Sequence, residues 1–391
     1  MSGERPLTIM LVAAEASGDD RGAGLMRALK ARLGQGVRFV GVGGERMAAE
    51  GLDSPFDIAD LSILGLLEGL LAYPRVVRRA DETAALAARE RPDAVVLIDS
   101  WGFTLRVAQR LRRAQPDLPL VKYVGPQVWA TRPGRAKTLA AAVDHLLSIH
   151  AFDAPYFEAE GLPVTFVGNS ALSLDLSRAK PSRLRKAIGA APDDLILLVL
   201  PGSRPGEVAR MLPIFEAAVA QLKAAYPDLH IVVPAAPTVA DMVKSRVAGW
   251  PHRAHVVEDE AGKLDAMKAA TVALVCSGTV TIEVALAGAP MVIGYQLPPV
   301  SGFIVRRIIR TPFVTLFNIA ANDFVAPELV QDACRPDDLA EEVARRLDDA
   351  ELRARQTLAQ YAALDLLGRG GPDPSEAAAD AVLKIIADRR T

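Results

Sequence analysis

Short apolar runs rich in β-branched residues alternate with longer amphipathic segments along almost all of the 391-residue chain, and no other feature constrains the fold as much. In the first half the runs are LTIMLVAA (7–14), VRFVGVG (37–43), AVVLID (94–99), LVKYVG (120–125), HLLSIH (145–150) and VTFVG (164–168). Between them lie stretches such as GAGLMRALKARLG (22–34) and FTLRVAQRLRRAQ (103–115), whose apolar residues recur at helical spacing. Strands that alternate with helices in this way are parallel, because a parallel pair needs a long crossover. A stretch rich in Ser, Lys, Arg and Pro, SLDLSRAKPSRLRK (173–186), separates this half from a second series: LILLVLPG (195–202), HIVVPA (230–235), AHVVED (254–259), VALVCSG (272–278) and PMVIGY (290–295). The length exceeds what one core usually supports. The expected fold class is therefore α/β with two Rossmann-like, doubly wound domains facing across a cleft, residues 1–178 and 179–355, and a helical tail over 356–391 packing back across them.

Composition excludes several functions. Lys plus Arg number 45 against 47 for Asp plus Glu, a net charge of −2, so there is no global basic field to hold nucleic acid. The two cysteines, Cys276 and Cys334, form no C-x-x-C pair, which argues against a zinc site or a disulfide scaffold and for a reducing cytoplasm. The first apolar stretch is too short to span a bilayer and runs into Glu15, and no secretory signal is expected.

Ligands of open α/β sheets gather beyond the carboxyl ends of strands, so the residues that follow each run are the candidate site. LLVLPGSRPGE (197–207) carries a strand into a turn that presents Arg204, a cation the turn itself does not require. VALVCSGTVTIE (272–283) carries another strand into Ser277-Gly278-Thr279, where a helix opens with unbonded N–H groups that suit a phosphate as well as a simple cap. Glu283 lies one turn further on the same face, where a carboxylate can take both hydroxyls of a ribose or merely favour the helix dipole. Together they point to a nucleoside diphosphate site; no Walker sequence occurs, which disfavours ATP hydrolysis. In the first half, GVGG (41–44) lacks the spacing of a dinucleotide fingerprint, and Glu15, Ser17, Gly18 and Asp19 read as a turn and helix cap. Asp99 ends the run AVVLID, where it is either the cap of the next helix or a general base at the cleft. Trp129, Arg132 and Arg135 sit together on a loop, QVWATRPGR, as either a packed indole with solvated arginines or a contact for a sugar or phosphate.

The ordered segments EASGD, GVGGERM, IDSWGF, YVGPQVWATRPGR, FVGN, LPGSR, CSGTVTIE and NIAANDFVAPELVQ resemble the lipid-A-disaccharide synthases, glycosyltransferase family 19 of the GT-B fold, over nearly the whole chain. The resemblance implies an inverting, metal-independent hexosyltransferase that needs no cofactor. It would join UDP-2,3-diacylglucosamine to 2,3-diacylglucosamine 1-phosphate as a β-1,6 disaccharide and release UDP. Carried onto this chain, it implies UDP contacts at Ser203, Arg204, Ser277, Gly278, Thr279 and Glu283, with Asn318, Glu328 and Gln331 bordering the donor site. It makes Asp99 the base and assigns Glu15, Ser17, Gly18 and Asp19 to a loop that contacts acceptor and donor. There are departures: IDSWGFT stands where the family usually has IDxPDFN, FVGNS where it has FVGHP, and Phe152-Asp153 where it has Phe-Glu. These leave room for a variant amino sugar.

Lipid substrates imply peripheral association with an anionic inner membrane from the cytoplasm, and leave a homodimer open. The stretch VSGFIVRRIIRTPFVTLF (300–317), with Phe303, Arg306, Arg307 and Arg310, suits that contact, and AYPRVVRRAD (72–81) offers a second basic patch. The alternatives are another UDP-sugar enzyme of the fold, such as the lipid-linked N-acetylglucosamine transferase of peptidoglycan synthesis or a UDP-sugar epimerase, and a non-catalytic nucleotide-sugar-binding scaffold.

Overall fold

A computed structural model describes residues 5–61, 66–298, 309 and 311–390, with the backbone alone at 66–72 and 390. All eleven expected strands form: β1 (Leu7–Val12), β2 (Val37–Val42), β3 (Ala94–Ile98), β4 (Leu120–Tyr123), β5 (His145–Ser148), β6 (Val164–Phe166), β7 (Ile196–Leu200), β8 (His230–Pro234), β9 (Ala254–Val257), β10 (Val272–Cys276) and β11 (Met291–Tyr295). The short β12 (Glu328–Val330), not anticipated, adds to the edge of the second sheet.

The strands make two six-stranded sheets, ordered β2-β1-β3-β4-β5-β6 and β12-β11-β10-β7-β8-β9, and every pair is parallel. Their central strands are buried on both faces, which is why they read as unbroken apolar runs. In the first sheet Met10, Val12, Val95 and Leu97 enter one core, while Ile9, Leu11, Val96 and Ile98 enter the other. That alternation is the pleat written out residue by residue.

The chain divides into two compact units, residues 1–170 with 370–391, and residues 171–369. The helix Ala350–Leu366 belongs to the second, where the buried amides of Gln356 and Gln360 donate to the carbonyls of Met291 and Ala289. The last helix, Pro374–Arg390, belongs to the first and packs on the helix Ala16–Leu33, with Arg32 paired to Asp380 at 2.5 Å.

In each sheet the order reverses once, opening a crevice at the strand ends where ligands of this architecture bind. In the first the reversal lies between β1 and β3, and in the second between β7 and β10.

Candidate active site

The crevice of the second unit is a cavity of about 540 Å³. Its lining includes the residues that follow β7, β8, β9 and β10. After β7, Gly202 takes φ 117°, and a Cβ there would lie 3.0 Å from that of Glu207. Only glycine turns the chain this sharply. The turn delivers Arg204 as the residue before the helix Pro205–Ala225, with its side chain 81% exposed and its nearest carboxylate, Glu207, 3.6 Å away.

After β10, Ser277, Gly278 and Thr279 lead into the helix Val280–Ala287. Nothing lies within 4 Å of where a Gly278 side chain would be, so the backbone can be approached closely. The Thr281 and Ile282 amides bond back to the Gly278 and Thr279 carbonyls at 3.1 and 3.0 Å, and the helix start carries the positive dipole end. Glu283, one turn along, pairs with Lys263 at 2.7 Å, and Lys263 also meets Glu260 at 3.3 Å. Burial opposes the charge on Lys263, but the bond and field of Glu283 outweigh it and its pKa is raised.

Ser203, Arg204, Ser277, Gly278, Thr279 and Glu283 all line this cavity. Asn318, Glu328 and Gln331 are not among the lining residues. Asn318 is fully buried, with its side-chain amide bonded to both backbone groups of Ala326. Glu328 accepts from the Val314 and Thr315 amides and from the Thr315 hydroxyl, fastening the start of the helix Leu316–Ala321. Gln331 holds a left-handed turn (φ 56°) after β12. The polar atoms of Asn318 and Glu328 are thus bonded to the backbone of their own segment.

The crevice of the first unit is built around Asp99. β3 ends at Ile98, and both Asp99 (φ 48°) and Ser100 (φ 36°) are left-handed. Such backbone costs about 1–3 kcal/mol per non-glycine residue and persists only where its surroundings impose it. Asp99 is not the helix cap: Ser100 precedes the helix Trp101–Ala114, and the carboxylate faces the loop after β1. There its Oδ2 takes bonds from Ser17 Oγ at 3.3 Å and Arg21 Nη1 at 3.1 Å, while Oδ1 accepts the Ser100 amide. The carboxylate stays a third exposed. Gly18 allows the approach, since a Cβ there would lie 3.3 Å from Ala13 and 3.6 Å from the Ile98 carbonyl.

Glu15 is the exposed residue before the helix Ala16–Leu33. Asp19 departs from expectation. It is 4% exposed and its carboxylate accepts the amides of Gly44, Arg46 and Met47, so it fastens the GVGG turn and is not presented to a ligand. Trp129 is also buried: its indole donates to Asp153 at 2.9 Å, and Asp153 takes a second bond from Ser148 at 2.6 Å. The packed-indole alternative holds for Trp129, whereas Arg132 is exposed and Arg135 lies over the Trp101 ring at 5.0 Å.

Three residues escaped the sequence reading. Lys263 follows an acidic run like many on a solvated helix and gives no signal. Arg21 lies two residues beyond the EASGD segment. Lys122 did give one, because a lysine inside an apolar strand is rare unless its charge is used; its ammonium donates to the Asp99 carbonyl and to Thr104 Oγ1.

Phe303, Arg306, Arg307 and Arg310 lie outside the described residues. In the second basic patch, Arg78 and Arg79 are paired with Glu82, and Arg79 also with Asp60. Among the described residues no helix is long and apolar enough to cross a membrane.

Two all-parallel, doubly wound units with ligand-ready crevices define the GT-B class of glycosyltransferase folds. Solved structures of that architecture are similar over the whole chain. The UDP-GlcNAc 2-epimerase of Neisseria meningitidis, solved with UDP-GlcNAc bound, has a TM-score of 0.63 at 12% identity, covering 98% of this chain and 100% of that one. MurG of Acinetobacter baumannii has a TM-score of 0.56 at 16% identity, covering 97% and 100%. At these identities the likeness concerns the fold.

Sequence takes the assignment further. The family model described as lipid-A-disaccharide synthetase matches residues 9–382. The lipid-A-disaccharide synthase of Rhodospirillum centenum is 46% identical over 385 residues, 98% of this chain and 96% of the relative. That of Paramagnetospirillum magneticum is 45% identical over 382 residues, 97% and 98% of the two chains. The chain belongs to the lipid-A-disaccharide synthase family, whose members are hexosyltransferases.

Proposed function

We propose that the protein transfers 2,3-diacylglucosamine from UDP to the 6-hydroxyl of 2,3-diacylglucosamine 1-phosphate, with inversion to the β anomer. The observation that carries this reading is the cavity at the ends of β7 and β10, where an exposed arginine and a helix start converge without a Walker loop. That chemistry suits a diphosphate which must leave with its charge. Glu283 takes the ribose hydroxyls, and the relatives' shared name, lipid-A-disaccharide synthase, supports a disaccharide product.

Asp99 acts as general base. It removes the proton of the acceptor hydroxyl as that oxygen bonds to the donor's anomeric carbon, and the bond from that carbon to the diphosphate oxygen breaks. The proton ends on the carboxylate and the electron pair on UDP. Arg204 and the amides at Ser277–Thr279 meet the growing negative charge. One well-aligned donor of this kind is typically worth about 2.7–4 kcal/mol of barrier. Ser17 and Arg21 aim the carboxylate. The acyl chains are taken up from the cytoplasmic face of an anionic membrane, through the segment containing Phe303, Arg306, Arg307 and Arg310.

Incubating the purified chain with both acylated sugars tests the reading. UDP and a disaccharide 1-phosphate should appear together and only when both sugars are present. Conversion of UDP-GlcNAc to an epimeric UDP-sugar without an acceptor would favour an epimerase-like activity, and no turnover with any UDP-sugar would leave a binding scaffold.

A further inference from the structure

Lys122 has no part in the reaction as proposed, yet its surroundings are unusual. It sits in the middle of β4 at 2% exposure, and its register neighbours on the flanking strands are Leu97 and Leu146. A buried ammonium in apolar company persists only where something needs it.

The groups it bonds are those that shape the turn bearing Asp99. Its ammonium donates to the Asp99 carbonyl oxygen and to Thr104 Oγ1, which is itself 2.9 Å from the carbonyl oxygens of both Asp99 and Ser100. The next residue of the strand, Tyr123, accepts the Asp99 amide at 2.8 Å. Residues 122 and 123 therefore grip Asp99 by its carbonyl and its amide, on either side of a left-handed φ. We infer that Lys122 is a positioning residue: with Thr104 it locks the Asp99–Ser100 turn and so sets the direction in which the carboxylate points. The inference rests on Asp99 being the base.

Electrostatics agrees with the geometry. Burial pushes the Lys122 pKa down to about 7, and the charges of Asp99 and Glu15 resist that fall. Arg21, paired to Asp99, is the other cation on the same carboxylate. Coupling between the ammonium and Asp99 must be reciprocal, so removing either charge is felt at the other.

The test uses the full chain with UDP-2,3-diacylglucosamine and 2,3-diacylglucosamine 1-phosphate. Lys122→Met should lower kcat at least tenfold while the KM for the UDP sugar stays within twofold. Thr104→Val, which keeps the charge and removes the hydroxyl of the lock, should lower kcat severalfold with the same KM. Nitrogen-15 NMR of the lysine ammonium supplies a readout that a purely structural lysine would not give. In Asp99→Asn the Lys122 titration midpoint should fall by at least half a pH unit, because one supporting negative charge is gone.

A Lys122→Met enzyme within twofold of the parent kcat would overturn the inference, as would a Lys122 midpoint unmoved by Asp99→Asn. Should Lys122→Met fail to fold, Thr104→Val and the titration decide. Retained turnover in Asp99→Asn would instead remove the base, and the positioning role with it. A dead Asp99→Asn beside a fully active Lys122→Met would remove the positioning role alone.

Discussion

The two sheets reverse their strand order in the same way, yet the crevices this creates are made of different material. Beyond β7 and β10 the working parts are backbone and a solvated cation: Gly202 and Gly278 let the chain turn or be approached, and Arg204 extends into water. Beyond β1 and β3 the working part is one side chain, Asp99, on backbone that glycine would suit better. Its turn is held by a buried lysine, a threonine and the neighbouring strand. A crevice that must accept a ready-made anion can be open and unstrained. One that must hold a base at an angle has to lock a side chain, and locking requires buried polar bonds. One topology therefore supports either a cradle or a clamp, and the residues after the strands decide which.

Substituting the clamped carboxylate should have the largest effect. Asp99→Asn keeps the shape of the side chain and removes its basicity, so turnover should fall roughly 10²–10⁴-fold, the usual share of general-base catalysis. UDP affinity, measured by calorimetry, should stay within about twofold if, as proposed, that ligand is held in the other crevice. Near-parental turnover would reduce Asp99 to a part of the turn.

Arg204→Ala comes next. The side chain is 81% exposed and its contact with Glu207 is a loose 3.6 Å, so the fold should keep its melting temperature while kcat drops about a hundredfold or more. The comparison sharpens if UDP binding weakens as well, since a cradle acts on ground state and transition state alike. An unchanged kcat would leave the cavity without its main cation.

A smaller loss is expected at Lys263. In Lys263→Met the Glu283 carboxylate loses its 2.7 Å partner and is left partly buried without it. The KM for the UDP sugar should rise about tenfold with kcat nearly unchanged, the signature of uniform binding. A change in kcat alone would show that the pair acts on the reaction and not on the nucleotide.

How far these crevices could be read in advance follows the same division. Ser203, Arg204 and the 277–279 turn lie immediately after strands buried on both faces, and such strands are unmistakable as apolar runs; topology alone then gathers the turns. β12 escaped because three half-buried residues carry no period. The bonds of Asp19, Trp129 and Asn318 could not be read in advance, because each is made to a partner that local pattern does not reveal, namely the Gly44–Met47 amides, Asp153 and Ala326. A polar residue after a strand looks the same whether it faces a ligand or a buried amide. The departure at Thr104 is clearer in three dimensions: the hydroxyl is used in the lock on Asp99.

The smallest effect concerns stability, and it rests on two buried titrating groups of the first unit. Near the Trp129 loop, burial pushes Asp153 up to about 6, while hydrogen bonds from Ser148 and Trp129 pull the other way. Burial, with help from the charge on Arg21, pushes His150 down to about 4. Between pH 4 and 6 the folded protein holds more protons at Asp153 than the unfolded chain does, so this group's contribution to stability falls as pH rises. His150 does the reverse: the folded state holds fewer protons between 4 and 6.5, so its contribution grows as pH rises. In the parent protein the two slopes oppose one another across nearly the same window. Asp153→Asn keeps an acceptor for the Trp129 indole, presents an amide to Ser148, and removes only the falling slope. Its unfolding free energy, taken from urea titrations at pH 4.5 to 6.5, should climb more steeply than that of the parent, by up to about 1.4 kcal/mol per pH unit. Parallel curves would mean that Asp153 is already ionised across the window, and that the buried network of the first unit is held by charge rather than by a shared proton.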